Sequence, residues 1–259
     1  MNVVAINGSP RGANGNTECI LEPFLEGARD AGALVEVVYL KDQHIEHCLG
    51  CFSCWTRTPG VCVHKDDMPA LLEKVRQADV LVLATPLYVF TFSGLLKDFC
   101  DRLAIPIQMP QIERIGDQYV HPMRHPEEWP KKLVLISNAG FPGAQHFDGL
   151  KETMRTWARL PGFELEGMIC CPAGPLLKVP ALQEGLAWYV GAARRAGTEV
   201  VEQGAICAGT SEILERQLAE PAVYANMTNS SWHGRGTPPG EQDSAAAETG
   251  GEGTPIHRR

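Results

Sequence analysis

Short apolar runs alternate with amphipathic stretches along this chain. Val3–Ile6, Leu34–Leu40, Val80–Ala84, Leu133–Ser137 and Phe163–Cys170 read as five strands. Val80–Ala84 is apolar throughout, as expected of a strand covered on both faces. Between the first two runs, Thr17–Ala31 carries Ile20, Leu21, Phe24, Leu25 and Ala28 at helical spacing, with Gly32 as a stop signal. Asp66 or Asp67 can cap a helix reaching about Ala78, because a carboxylate satisfies free N–H groups at a helix start. Further helices are expected over Gly94–Leu103, Phe147–Leu160 and Ala181–Ala196, and Thr198–Glu220 also reads as helical. Ile105–Pro130 has many prolines and no clear period. Such long excursions tend to be functional or mobile.

Strands alternating with helices predict an α/β fold, an open parallel sheet with helices on both faces. Right-handed crossovers bring every strand-to-helix loop to one edge of that sheet, where ligands bind. Four polar, Gly-rich or Cys-rich loops fall there: the first loop, the loop after the second strand, and those beginning at Thr85 and Asn138. The 259 residues, with 44% apolar and 21% charged positions, are sufficient for a sizeable core. From about His233, Gly, Pro, Ser, Glu and Thr dominate, so 233–259 is expected to be a disordered tail. Residues 201–232 would then form a helical extension behind a main domain of 1–200. With 23 basic against 31 acidic residues the net charge is −8, which opposes a nucleic-acid partner. No run of about 18 apolar residues suits a membrane, and the first residues lack a secretory signature, so a cytoplasmic protein is expected. In a reducing cytosol its nine cysteines do not read as a disulfide framework.

The first loop, Gly8-Ser9-Pro10-Arg11-Gly12-Ala13-Asn14-Gly15-Asn16-Thr17, leads into a helix. Glycines let backbone N–H groups approach an anion, and the helix start offers unpaired donors. Ser9, Gly15, Asn16 and Thr17 supply neutral donors, and Arg11 supplies charge. The loop lacks the lysine of a triphosphate-binding loop and the spacing of a dinucleotide fingerprint. Its donors suit a single terminal phosphate, such as that of FMN. The alternative is an ordinary Gly-rich turn. After the third strand, Pro86, Leu87, Tyr88, Phe90 and Ser93 can give a flavin ring apolar surfaces and backbone donors. Asn138 and Gly140 allow a close approach to the ring or to a substrate. Tyr88 and Phe92 could instead be core.

Cys48-x2-Cys51-x2-Cys54-x7-Cys62 places three thiols on one tight turn with a fourth to close the set. Four thiolates suit a [4Fe-4S] cluster or zinc, and free thiols in a loop remain open. Trp55 could shield such a group from water. His44 and His47 read as solvated. Asp98, Asp101 and Arg102 read as surface pairs on a helix.

Taken together, Asn7-Gly8-Ser9-Pro10-Arg11 with Gly15-Asn16-Thr17, Pro86-Leu87-Tyr88 with Ser93-Gly94-Leu95-Leu96-Lys97, and the cysteine motif followed by Asp66-Asp67-Met68 resemble a known group. It is the flavodoxin-like NAD(P)H-dependent FMN reductases, and within them the iron-sulfur flavoproteins. The resemblance covers roughly residues 1–196. It implies a doubly wound five-stranded sheet of order 2-1-3-4-5, FMN phosphate on the first loop, the ring on the Pro86 loop, and a homodimer or homotetramer. The expected activity is an FMN-dependent oxidoreductase, NAD(P)H-linked, that passes electrons to or from a small organic molecule such as a quinone. No catalytic side chain is required, because the flavin carries the chemistry. The alternatives are an FMN and iron-sulfur carrier serving an electron-transfer protein, and a thiol-based redox sensor.

Overall fold

The computed structural model describes residues 1–116, 118–130, 132–159 and 162–233. Its strands are β1 (Asn2–Asn7), β2 (Leu34–Tyr39), β3 (Val80–Pro86), β4 (Glu113–Ile115), β5 (Gln118–Val120), β6 (Lys132–Asn138) and β7 (Glu164–Cys171). The α-helices are α1 (Glu18–Asp30), α2 (Ser53–Thr56), α3 (Met68–Arg76), α4 (Gly94–Ile107), α5 (Asp148–Ala158), α6 (Ala187–Glu202), α7 (Ala208–Leu214) and α8 (Pro221–His233). Residues 1–220 pack as one compact unit, which includes 201–220; the described part of a second unit, residues 221–233, is α8.

The main sheet runs β2-β1-β3-β6-β7, parallel throughout. Counting only its own strands, that is the order 2-1-3-4-5. Strands β4 and β5 form an antiparallel hairpin within the proline-rich excursion. On one face of the sheet, Val4, Ile6, Leu81, Leu83, Leu133 and Leu135 pack with Leu71 and Val75 of α3, Phe99 and Leu103 of α4, and Leu150 and Met154 of α5. Alternation along each strand sends Val3, Ala5, Val80 and Val82 to the other face, and all four are buried. Phe24, Phe99 and Phe147 are wholly buried, and each such burial is worth about 1.5–3 kcal/mol.

Helices α1 and α6 cross with almost no side chain between them. A Cβ at Gly27 would stand 1.8 Å from the Arg194 carbonyl oxygen, and one at Gly197 would stand 1.8 Å from that of Phe24. This explains a shifted boundary. The helix expected over Ala181–Ala196 begins instead at Ala187, because Pro180 opens a 3-10 turn, Pro180–Leu182. It runs on past the expected end at Ala196 through Gly197, which makes the close crossing. The helical stretch expected over Thr198–Glu220 is divided: α6 ends at Glu202, Gly204 takes φ +89°, and α7 follows. Helix α5 begins one residue later than expected because Phe147 closes a 3-10 turn, and Leu160 lies outside the described residues. Of the expected tail, His233 closes α8 and residues 234–259 lie outside the described residues.

Candidate functional site

The first loop leaves the carboxyl end of β1 and is held mainly by its own polar groups. The Ser9 N–H donates to Asn7 Oδ1 at 2.8 Å, and the Arg11 N–H to Ser9 Oγ at 3.3 Å. Asn7 in turn donates from Nδ2 to Glu18 at 2.8 Å. Gly12 sits at φ +50°, and Gly15 packs so close that a Cβ would stand 2.5 Å from Ser9 Oγ. Ser93, the N-cap of α4, donates from Oγ to the Gly8 carbonyl at 2.6 Å and accepts from the Leu96 N–H. This one hydroxyl joins the first loop to the Pro86 loop. Asn138 reaches across the sheet edge, and its Nδ2 donates to Thr17 Oγ1 at 2.7 Å. Thr17 is buried, and accepting that bond leaves its O–H free to donate outward. Among the described residues, the N–H groups of Asn16, Thr17 and Glu18 take no protein partner. They open α1, so unpaired donors and the positive helix end coincide. Arg11 is exposed at the rim. Lys178, not flagged by sequence, donates to the Asn14 carbonyl at 2.5 Å and adds a second cation.

The Pro86 loop makes a tight reversal. Tyr88 and Thr91 exchange backbone hydrogen bonds of 3.1 Å. Val89 and Phe90 between them adopt φ +47° and +63°. Two consecutive positive φ values are usual for Asn-Gly, not for Val-Phe. Such a conformation costs on the order of 1–3 kcal/mol per residue and accumulates at ligand sites. The N–H groups of Val89 and Phe90 have no partner among the described residues. Tyr88 and Phe90 are exposed, whereas Phe92 is core and Leu87 packs at its margin. The Leu87 N–H donates to the Asn138 carbonyl at 2.8 Å, which ties this loop to the Asn138 loop. Gly140 is exposed with open space beside it. Phe141 and Phe90 both contact His146, with ring centroids 4.7 and 6.0 Å away.

Cys48, Cys51, Cys54 and Cys62 line one pocket beside α4. Phe52, with φ +52°, turns the chain into the short helix α2. Hydrogen bonds from the Ser53 N–H and hydroxyl hold the exposed Cys51 thiol below its usual range. Burial pushes the Cys54 thiol up, and its neighbours Cys62, Cys48 and Cys51 add to the shift. Among the described residues, no three of these sulfurs lie within 4.8 Å of one another. Four thiols on one pocket can hold either a single zinc ion or an iron-sulfur cluster.

Arg102 was expected on the surface with Asp98 and Asp101. It is instead buried at the wall of this pocket. Asp98 turns to the exposed His47 ring at 2.7 Å, and Asp101 pairs with Lys97. Arg102 makes a two-pronged pair with the buried Asp66 carboxylate, at 2.7 and 3.1 Å, and donates to the Glu46 carbonyl at 2.7 Å. Burial opposes ionisation of Asp66, but the Arg102 hydrogen bond and the Glu46 and Met68 N–H groups overcome it, so its carboxyl titrates below the usual range. Asp66 is the counter-ion of Arg102 and also accepts from the Met68 N–H that opens α3, at 3.2 Å, as the expected cap would, whereas Asp67 makes no side-chain cap. The signal that could have found Arg102 is positional: it falls on the stripe of α4 that holds Phe99, Leu103 and Pro106. Trp55 does not line the pocket; its indole N–H donates to the Ile105 carbonyl at 2.6 Å, and Phe52 takes the shielding place. Four buried side-chain polar atoms lack a partner among the described residues, and two of them, Arg102 Nε and His64 Nε2, belong to residues lining this pocket. The Arg102 Nε–H is an unpaired donor, and His64 Nε2 is one when it carries the ring proton; an anionic metal–thiolate group would accept from both.

Residues 1–163 match the profile of the NADPH-dependent FMN reductase family. This chain belongs to that family. It is 39% identical over 102 residues to an iron-sulfur flavoprotein of Archaeoglobus fulgidus, covering 39% of this chain and 48% of that protein. It is 34% identical over 102 residues to an iron-sulfur flavoprotein of Methanosarcina thermophila, covering 39% and 52%. The chain thus spans about half the length of these curated relatives. An NAD(P)H:quinone oxidoreductase from Methanothermobacter marburgensis superposes with TM-score 0.56 at 22% identity, over 77% of this chain and 96% of that one. An FMN-dependent NADH-azoreductase from Bacillus anthracis gives 0.54 at 16%, over 79% and 99%. These two likenesses bear on the fold alone: this family member has a flavodoxin-like sheet. None of the helices among its described residues is long and apolar enough to cross a membrane.

Proposed function

We propose that this family member is an FMN-dependent oxidoreductase that uses NAD(P)H and moves electrons to or from a small organic molecule such as a quinone. The observation that carries the reading is the junction of Thr17, Asn138 and Ser93. It places a cradle of unpaired N–H groups next to an exposed aromatic turn, as a phosphate joined to a flat ring requires. Bound flavin supplies hydride and electron chemistry. The N–H groups of Asn16, Thr17 and Glu18 and the Thr17 hydroxyl hold the phosphate, and Arg11 and Lys178 offset its charge. Tyr88 and Phe90 face the ring, and the Val89 and Phe90 N–H groups donate to its polar edge. Gly140 leaves room for a substrate. Cys48, Cys51, Cys54 and Cys62 hold a [4Fe-4S] cluster, supported by the unpaired donors around them and by the names of the relatives. The exposed Tyr88, Val89, Phe90 and Phe141 support a homodimer or homotetramer in which a second copy covers the ring.

Anaerobic purification with a visible spectrum, iron and sulfide analysis, and steady-state NAD(P)H oxidation with a quinone test this reading. Bound flavin and quinone-dependent turnover are expected. Protein that carries no flavin and takes up no added FMN would overturn it.

A second reading is an electron carrier. It draws on the apolar rim of the cysteine loop, where Leu49, Phe52, Val61 and Val63 are exposed as a partner protein would find useful. Reduction by ferredoxin without turnover of NAD(P)H distinguishes the carrier.

A further inference from the structure

Two nitrogen atoms at the cysteine pocket are unexplained by the protein around them. Arg102 is about 1% exposed, and Asp66 and the Glu46 carbonyl take the donors at its guanidinium end. Its Nε–H has no acceptor among the described residues. His64 lines the same pocket, and its buried Nε2 likewise has none. Buried donors are almost always paired, and an unpaired one in a native fold calls for an acceptor that the protein does not provide. The pocket is otherwise lined by Cys48, Cys51, Cys54 and Cys62, by apolar carbon such as that of Ile105 and Pro106, and by Asp101, whose carboxylate pairs with Lys97. Burial of the Asp66 carboxylate against Arg102 fixes the direction of Nε, because both ends of the carboxylate engage the guanidinium. Asp66 thereby acts as a positioning residue.

We propose that Arg102 Nε and His64 Nε2 are paired N–H donors to sulfur of the group held by the four cysteines, and that they set its reduction potential. The inference rests on the cluster reading above. N–H donors directed at sulfur stabilise the added negative charge of the reduced state, and hydrogen bonds of this kind are among the main determinants of cluster potential. In this arrangement the His64 ring proton sits on Nε2, facing the sulfurs. Arg102 supplies a charged donor whose charge is already matched by Asp66, so its effect is short-range and directional.

The test is a redox titration of the anaerobically purified full chain, following the iron-sulfur and flavin signals separately. The variants are His64→Phe, His64→Gln and Arg102→Lys. His64 makes no hydrogen bond to the described residues, so His64→Phe removes a donor without unpairing another group. Arg102→Lys keeps the charge beside Asp66 and removes Nε. In His64→Phe the iron-sulfur midpoint should fall by about 59 mV, a tenfold change in the oxidised-to-reduced ratio for a one-electron couple. The flavin midpoint and the iron content should stay at wild-type values. His64→Gln, with an amide N–H, should recover part of the shift, and Arg102→Lys should lower the midpoint too. An unmoved midpoint in His64→Phe and Arg102→Lys, with iron and flavin retained, overturns the inference and leaves the cluster reading intact. Wild-type protein with flavin but no iron or sulfide overturns the cluster reading, and the inference falls with it.

Discussion

The first loop and the cysteine loop both leave the carboxyl edge of the sheet, yet they are built on opposite plans. In the first loop the buried side chains are paired within the protein: Ser9 with Arg11, Asn138 with Thr17, Ser93 with Gly8 and Leu96. What stays open is a row of backbone N–H groups and one hydroxyl. In the cysteine loop the Asp66–Arg102 pair is buried, but Arg102 Nε and His64 Nε2 are left unpaired, and Leu49 and Val61 are exposed. A loop that satisfies itself is preorganised and can take up a ligand without rearranging. A loop with unpaired buried donors is complete only with its group in place, because each such donor costs about 1–3 kcal/mol when left bare. The first plan suits an exchangeable cofactor, the second a resident one.

The largest effect should come from breaking the buried pair. Asp66→Ala leaves the Arg102 charge unmatched and should cost about 3–5 kcal/mol, read by urea unfolding. Its pH dependence has a definite sign. The Asp66 carboxyl titrates below the usual range when folded, so its stabilisation is present above the unfolded value near about 3.9 and lost as pH falls through the lower, folded value. The difference between wild type and Asp66→Asn should therefore hold steady from neutral pH down to the ordinary carboxylate range and vanish below it.

Next, Gly15→Ala drives a methyl group to 2.5 Å from Ser9 Oγ. It should weaken FMN binding at least about tenfold, or 1.4 kcal/mol, in a fluorescence titration, while iron content is unchanged. If both cofactors were lost together, the two loops would not be independent. Val89→Asn relieves a β-branched residue at positive φ that is 89% exposed. It should stabilise the fold by about 1 kcal/mol, seen as a raised Tm. The smallest effect is expected for Lys178→Ala at the rim, about a threefold loss of FMN affinity, in keeping with an exposed charge.

The strands were legible because parallel strands covered on both faces must be apolar along their length, and Val80–Ala84 and Leu133–Ile136 are. The place of the first loop between β1 and α1 was legible because an apolar run, a Gly-rich stretch and a helical period follow one another. What sequence could not reveal is pairing across distance. Thr17 and Asn138 are 121 positions apart, and Asp66 and Arg102 are 36 apart. Arg102 beside Asp98 and Asp101 looked like part of a solvated face; only the acid packed against it makes its burial affordable. The helix expected to end at Ala196 continues through Gly197 for a similar reason, since the neighbouring backbone of α1 is what requires that glycine.

The central claim, that the loop from Gly8 to Thr17 is a seat for one phosphate monoester, is tested most directly by titrating flavin-free protein with FMN and with riboflavin, which share the ring and differ in the phosphate. The account predicts that FMN binds at least about a hundredfold more tightly, or about 2.7 kcal/mol, and that Gly15→Ala erodes most of that difference. Equal affinities for the two flavins would contradict it.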